Sequence, residues 1–208
     1  APLGIIVQGG ITNVLVRGLD RLELEGRIPT LVLNVTHPLV PEQIADFCKG
    51  KRAVLIVEEG APDYIEQAIH AILRKRDVDT RIYGKDVLPM AGEYTAEVVT
   101  EGLLKFFAQS ANDIDLGKPR ERFEAGRAGR TEAQRLLGGS LPLRPPGFCV
   151  GCPERPVFSA IKLLEREVGK VHISSDIGCH SFATLAPFNL GNSILGFGMS
   201  LAAAGAVA

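Results

Sequence analysis

The chain has no tryptophan, only two methionines and no strong excess of either charge, its formal net charge being -1 over 208 residues. A near-neutral balance supplies no electrostatic drive toward nucleic acid. No run of roughly 18 apolar residues occurs, so no helical membrane span is expected. No signal-peptide pattern, a charged leader followed by a short apolar core, occurs in the sequence, so no secretory signal is expected. Cysteine is scarce too: four residues, two of them at CxxC spacing. Without a secretory signal, that pattern suggests a cytoplasmic metal or redox site and not a disulfide framework. Neither a G-x-G-x-x-G fingerprint nor a P-loop is present, which leaves the turn at Gly9-Gly10 as tight-turn glycine. What remains is an ordinary globular composition, 46% hydrophobic, with enough apolar surface for a core.

From Gly4 to Phe107, short apolar runs alternate with amphipathic segments. Strands are expected at Gly4–Gly9, Thr30–Thr36, Arg52–Glu58 and Thr80–Tyr83, the first two read as buried. Helices are expected from Thr12, over Pro41–Cys48, Pro62–Arg76 and Thr95–Phe107. Strands that are apolar throughout and alternate with helices imply a doubly wound parallel α/β sheet covered on both faces. Glu58-Glu59-Gly60 follows the third strand, where such sheets deliver functional groups, but a solvated turn reads equally well. His37 and His70 read as surface or core packers, and Cys48 as a small buried hydrophobe.

Residues 108–144 are rich in Gly, Arg and Glu and read as a linker with little regular structure, carrying at most a short helix at Glu132–Leu137. Residues 145–208 begin a second α/β unit. Pro153 and Pro156 suit the first turn of a helix whose body is Val157–Val168, with Val157, Ala160, Ile161, Leu164 and Val168 as its apolar stripe. A strand is expected at Val171–Ser175, and a Gly-rich turn leads into a small, apolar terminal helix. Both ends read as cut, so the chain is expected to be a fragment of a longer protein.

Three of the four cysteines fall in this second unit, at Cys149, Cys152 and Cys179, the last followed by His180. The residues alone leave four readings open. They are a zinc site, a thioredoxin-like dithiol, an iron–sulfur cluster with three local ligands, and thiols with no shared role.

A resemblance makes one of these sharper. Phe148-Cys149-Val150-Gly151-Cys152-Pro153, Asp176-Ile177-Gly178-Cys179-His180 and Leu195-Gly196-Phe197-Gly198 together resemble the opening of the pyrophosphate-side domain in thiamine-dependent 2-oxoacid:ferredoxin oxidoreductases, the indolepyruvate type most of all. Upstream, Gly4-Ile5-Ile6-Val7-Gln8-Gly9-Gly10, the segment from Leu33 to Pro41 and Gly84-Lys85-Asp86-Val87-Leu88-Pro89 are similar to the family's middle domain, itself like a transketolase C-terminal domain. The resemblance implies a 4Fe–4S cluster on Cys149, Cys152 and Cys179, with a fourth ligand from elsewhere. It implies that Gly178, Cys179, His180, Leu195, Gly196 and Phe197 line thiamine diphosphate. It also implies oxidative decarboxylation of a 2-oxo acid (indolepyruvate or another aryl or branched one) to an acyl-CoA. Mg²⁺, coenzyme A and ferredoxin would take part, with a second subunit or an oligomer. No catalytic residue is assigned to this chain. The family's Gly-Asp-Gly that holds Mg²⁺ and diphosphate is missing, as are its activating-Glu domain and its ferredoxin-like cysteine run. Residues 1–208 alone are therefore expected not to catalyse and to bind thiamine diphosphate very weakly.

Overall fold

A computed structural model describes residues 2–111, 114–139 and 147–207. The chain divides into two compact units, Ala1–Gly139 and Ser140–Ala208.

The first unit is built on a four-stranded parallel sheet. Its strands are β1 (Leu3–Gln8), β2 (Thr30–Leu33), β3 (Ala53–Val57) and β4 (Arg81–Tyr83), in the order β2-β1-β3-β4. β1 and β3 are central and pair in parallel from Leu3↔Ala53 to Val7↔Val57. Every residue of β3 is buried, which is why the run reads as continuously apolar. Successive side chains point to opposite faces and so divide the core into two layers. On one face Leu3, Ile5 and Val7 of β1 meet Leu55 and Val57 of β3, beneath α1 (Thr12–Arg21) and α4 (Ala96–Ser110). On the other, Ile6, Val54 and Ile56 pack under α2 (Pro41–Cys48) and α3 (Tyr64–Lys75).

Local chemistry sets these helices. Pro occupies the first turn of α2, where its missing N–H costs nothing. The Thr95 hydroxyl caps α4 by accepting from Val98 N. Gly18 lets α1 approach α4: a Cβ there would lie 3.2 Å from Leu103 and 3.3 Å from Val99. Phe106 is fully buried and meets Tyr83 edge-on, ring centroids 5.3 Å apart.

Two expectations need correction here. The second strand is not buried throughout: it ends at Leu33, and only Leu33 of its four residues is buried. Its place at the edge of the sheet is the reason. Second, the stretch read as having little regular structure contains a 20-residue helix, α5 (Gly117–Leu136). Phe123 rests against the first layer of the core, and Arg127 and Arg130 reach Glu97 and Glu101 on α4.

The second unit holds α6 (Arg155–Val168), β5 (Ser174–Ser175), β6 (Ser193–Ile194) and α7 (Ser200–Val207). β5 and β6 pair in parallel. The strand expected over Val171–Ser175 is thus confined to its last two residues. The stripe expected on α6 is also different. Phe158 is its buried anchor, with Ile161 partly buried, while Val157, Leu164 and Val168 stay exposed.

Candidate functional site

The CxxC segment is a tight turn. Cys152 N donates to Cys149 O at 3.2 Å, and Gly151 takes the left-handed φ of 72° that closes it. Phe148, just before it, is the anchor. Its ring lies 5.3 Å from Phe158, 5.8 Å from Phe188 and 6.0 Å from Phe182, and its carbonyl accepts from the Arg155 guanidinium at 3.0 Å. A cluster of aromatic rings therefore fixes where the turn sits at the start of α6. Composition alone did not reveal this cluster, because its members come from four separate segments.

The Cys179 segment reaches the same end of α6. Residues Cys179–Thr184 form a 3-10 turn. His180 sets its ring edge-on to Phe158 at 6.1 Å and its Nε2 3.7 Å from Glu154 Oε2. That carboxylate oxygen is buried and has no hydrogen-bond partner among the described residues.

Asp176 ties this segment to the Leu195–Phe197 turn. Its Oδ1 accepts from Ile177 N and from Gly198 N, each at 2.8 Å, and its Oδ2 accepts from the Ser200 hydroxyl at 3.1 Å. Its main-chain oxygen accepts from Ser181 Oγ, which in turn accepts from Gly178 N. The Gly198 N–H, foremost among these donors, holds the Asp176 carboxyl below its ordinary range. Leu195 and Phe197 are largely exposed, Phe197 at 81%.

All four cysteines are free thiols. Cys149 and Cys179 are exposed, Cys152 is half-buried and Cys48 is buried. Among the described residues no group of three or more His, Cys, Asp or Glu is arranged to hold a metal. Thiols suit a cluster chemically, but as they stand Cys149, Cys152 and Cys179 do not form a ligand set among the described residues.

The first unit has its own polar centre beyond the sheet. Glu58, 4% exposed, accepts from Ile65 N at 2.9 Å and Glu66 N at 3.1 Å, and so caps the start of α3 across a loop. Glu59 Oε2 accepts from Tyr94 N at 2.6 Å. The Lys85 ammonium donates to the carbonyls of Glu58 and Gly60 and to the Tyr94 hydroxyl at 2.9 Å. Burial lowers the Lys85 pKa, and burial beside Glu58, Glu59 and Glu66 pushes Tyr94 up to about 12. Glu58-Glu59-Gly60 is therefore a structural junction and not a solvated turn. Sequence reading missed the part played by Lys85 and Tyr94, since their partners lie up to 35 residues away. His37 and His70 are both exposed, and Cys48 is buried as expected.

No family model matches the chain. Curated relatives do. Indolepyruvate oxidoreductase subunit IorA of Methanothermobacter marburgensis is 26% identical over 210 residues, covering 98% of this chain and 30% of the relative. The subunit IorA of Archaeoglobus fulgidus is 30% identical over 187 residues, covering 89% of this chain and 27% of the relative. That of Pyrococcus horikoshii is 26% identical over 204 residues, covering 98% and 29%. The chain spans about 30% of the length of the curated relatives it matches. Along nearly its whole length, the chain is similar to one segment of archaeal proteins named indolepyruvate oxidoreductase subunit IorA.

Proposed function

We propose that this chain is a segment of an oxidoreductase subunit that oxidatively decarboxylates indolepyruvate or a related 2-oxo acid to its acyl-CoA. The observation that carries the reading is the similarity to IorA subunits over nearly the whole chain. The paired Cys-Val-Gly-Cys-Pro and Asp-Ile-Gly-Cys-His segments support it. In this reading Gly178, Cys179, His180, Leu195, Gly196 and Phe197 would line thiamine diphosphate, which with Mg²⁺ would supply an electron sink, and an iron–sulfur cluster would supply one-electron transfer toward ferredoxin. The chain's own contribution is positional. Asp176 holds Gly178–His180 against the Leu195–Phe197 turn, presenting two exposed segments together. The aromatic cluster at Phe148 holds the CxxC turn near the same helix end. Ligation of a cluster by Cys149, Cys152 and Cys179 belongs to this proposal and requires the Cys179 loop to close on the CxxC turn. No Gly-Asp-Gly diphosphate motif occurs here, so residues 1–208 by themselves turn over no 2-oxo acid.

The test is an assay of the full-length parent subunit with its partner subunit, supplied with indolepyruvate, coenzyme A and a ferredoxin-level acceptor. Thiamine-dependent acceptor reduction is expected, together with a brown colour, and Cys179→Ser is expected to lower the bound iron by about one cluster's worth and to abolish the 2-oxo-acid-dependent reduction. A colourless protein with no 2-oxo-acid-dependent reduction would sink the reading.

A further inference from the structure

The first unit carries a cleft that the proposed reaction does not use. The sheet order β2-β1-β3-β4 sends the chain outward from β1 in one direction and from β3 in the other. The helices that follow these two strands, α1 and α3, accordingly lie on opposite faces. Open α/β sheets bind ligands at such a switch point, beyond the carboxyl ends of the strands. Here that point is marked by a hydrogen bond between the two strand ends, Glu59 N donating to Gln8 Oε1 at 2.7 Å.

A cleft of about 790 Å³ opens beside this bond, within the roughly 300–1,000 Å³ range of small-molecule sites. Leu39, Ile65, Ala68 and Ile72 form apolar walls, and Tyr64 stands at the rim with 70% of its surface exposed. The floor is polar, and the hydrogen bonds already made show what it still offers. Gln8 uses its oxygen on Glu59 N, which fixes its amide nitrogen as a pair of donors. Glu59 uses Oε2 on Tyr94 N, leaving Oε1 as an acceptor. Glu58 is committed to the first amides of α3. Neither Gln8 Nε2 nor Glu59 Oε1 has a hydrogen-bond partner among the described residues. Among the described residues no Lys or Arg lines the cleft, while two carboxylates do, and the nearby Lys85 ammonium is already committed to the Glu58 and Gly60 carbonyls and the Tyr94 hydroxyl. An anionic ligand would therefore meet like charge with no uncommitted Lys or Arg beside it.

We propose that this cleft binds an uncharged planar heteroaromatic molecule whose edge places a hydrogen-bond donor beside an acceptor, the chemistry of a nucleobase. The flat body lies between the apolar walls under Tyr64, and its edge pairs with the Gln8 amide and the free oxygen of Glu59. The inference does not depend on the reaction proposed above, and its failure leaves that reading standing.

The experiment is an amide and side-chain ¹⁵N NMR titration of the whole 208-residue protein with adenosine, and with AMP as the charged counterpart. Adenosine is expected to bind in the millimolar range or tighter, shifting the Gln8 side-chain amide and the amides of Ala68 and Ile72. AMP is expected to bind roughly tenfold more weakly. Ala68→Phe fills the cleft and should abolish the shifts. Gln8→Glu keeps an acceptor for Glu59 N but removes the donor, and should weaken binding by about tenfold or more. The proposal is overturned if adenosine gives no saturable shifts, if AMP binds as tightly, or if folded Ala68→Phe responds like the parent. Should Ala68→Phe fail to fold, Gln8→Glu decides, an unchanged affinity overturning the assignment.

Discussion

At the scale of single residues, the four thiols separate into two kinds. Cys48 is fully buried in the layer under α2, and burial pushes its pKa up to about 11, so it is neither reachable nor ionised at neutral pH. Cys149 and Cys179 are exposed. Native-state alkylation followed by peptide mass spectrometry should label Cys149 and Cys179 rapidly and Cys48 only after denaturation; labelling of Cys48 at a comparable rate would contradict the buried placement. Asp176 gives a second test. Its folded-state pKa is depressed, chiefly by the Gly198 N–H, so its contribution is present above the ordinary aspartate range and is lost as pH falls through the lower folded value. The Gly198 amide resonance should therefore keep its neutral-pH position down to below about pH 4 and move only in stronger acid. Asp176→Asn should move it at neutral pH and alter the alkylation rate of Cys179 while leaving that of Cys48 unchanged. A Gly198 amide that titrates at the ordinary aspartate value would show that the tie does not form.

At the scale of elements, α1 packs closely on α4. Gly18 sits under Leu103 and Val99, and Phe106 fills the layer beside Tyr83. Gly18→Val should force the helices apart and cost about 1–3 kcal/mol, and Phe106→Ala should cost about 3–5 kcal/mol by leaving a cavity. Urea unfolding measures both, and a cost below about 0.5 kcal/mol for Phe106→Ala would be incompatible with its burial. These elements were legible because their signals are local. β1 and β3 are unbroken apolar runs, and α2 begins at Pro41 and ends before Gly50. β2 misled because its apolar residues resemble those of β3, and only the crossover order puts it at the edge. α5 was missed for the opposite reason. Gly126 and Gly129 each cost a helix about 1 kcal/mol, and the helix has almost no apolar stripe. Its support comes from Phe123 and from arginines reaching acids on α4, partners that no window of sequence displays. The candidate site divides in the same way. CxxC spacing announces the turn at Cys149, whereas the reach of Asp176 to Gly198 and Ser200 spans 22 and 24 residues.

At the scale of the whole molecule, the two units differ in how much core each has. The first closes two apolar layers over a sheet covered on both faces, and α5 adds to one of them. The second has a small core of Phe158, Ala183 and Leu190 with four partly buried neighbours, and a two-stranded sheet of two-residue strands. It leaves Val150 96%, Leu201 85% and Phe197 81% exposed. Hydrophobic burial scales with the area removed from water, and a unit of this size is marginal even when its core is complete. Residues 1–139 expressed alone should therefore unfold in one cooperative thermal transition and retain the amide spectrum of the sheet. Residues 140–208 alone should show no cooperative transition and should bind a hydrophobic dye. Calorimetry and dye fluorescence on the two pieces decide the matter. A sharp transition for residues 140–208, without dye binding, would mean that these seven apolar side chains suffice as a core.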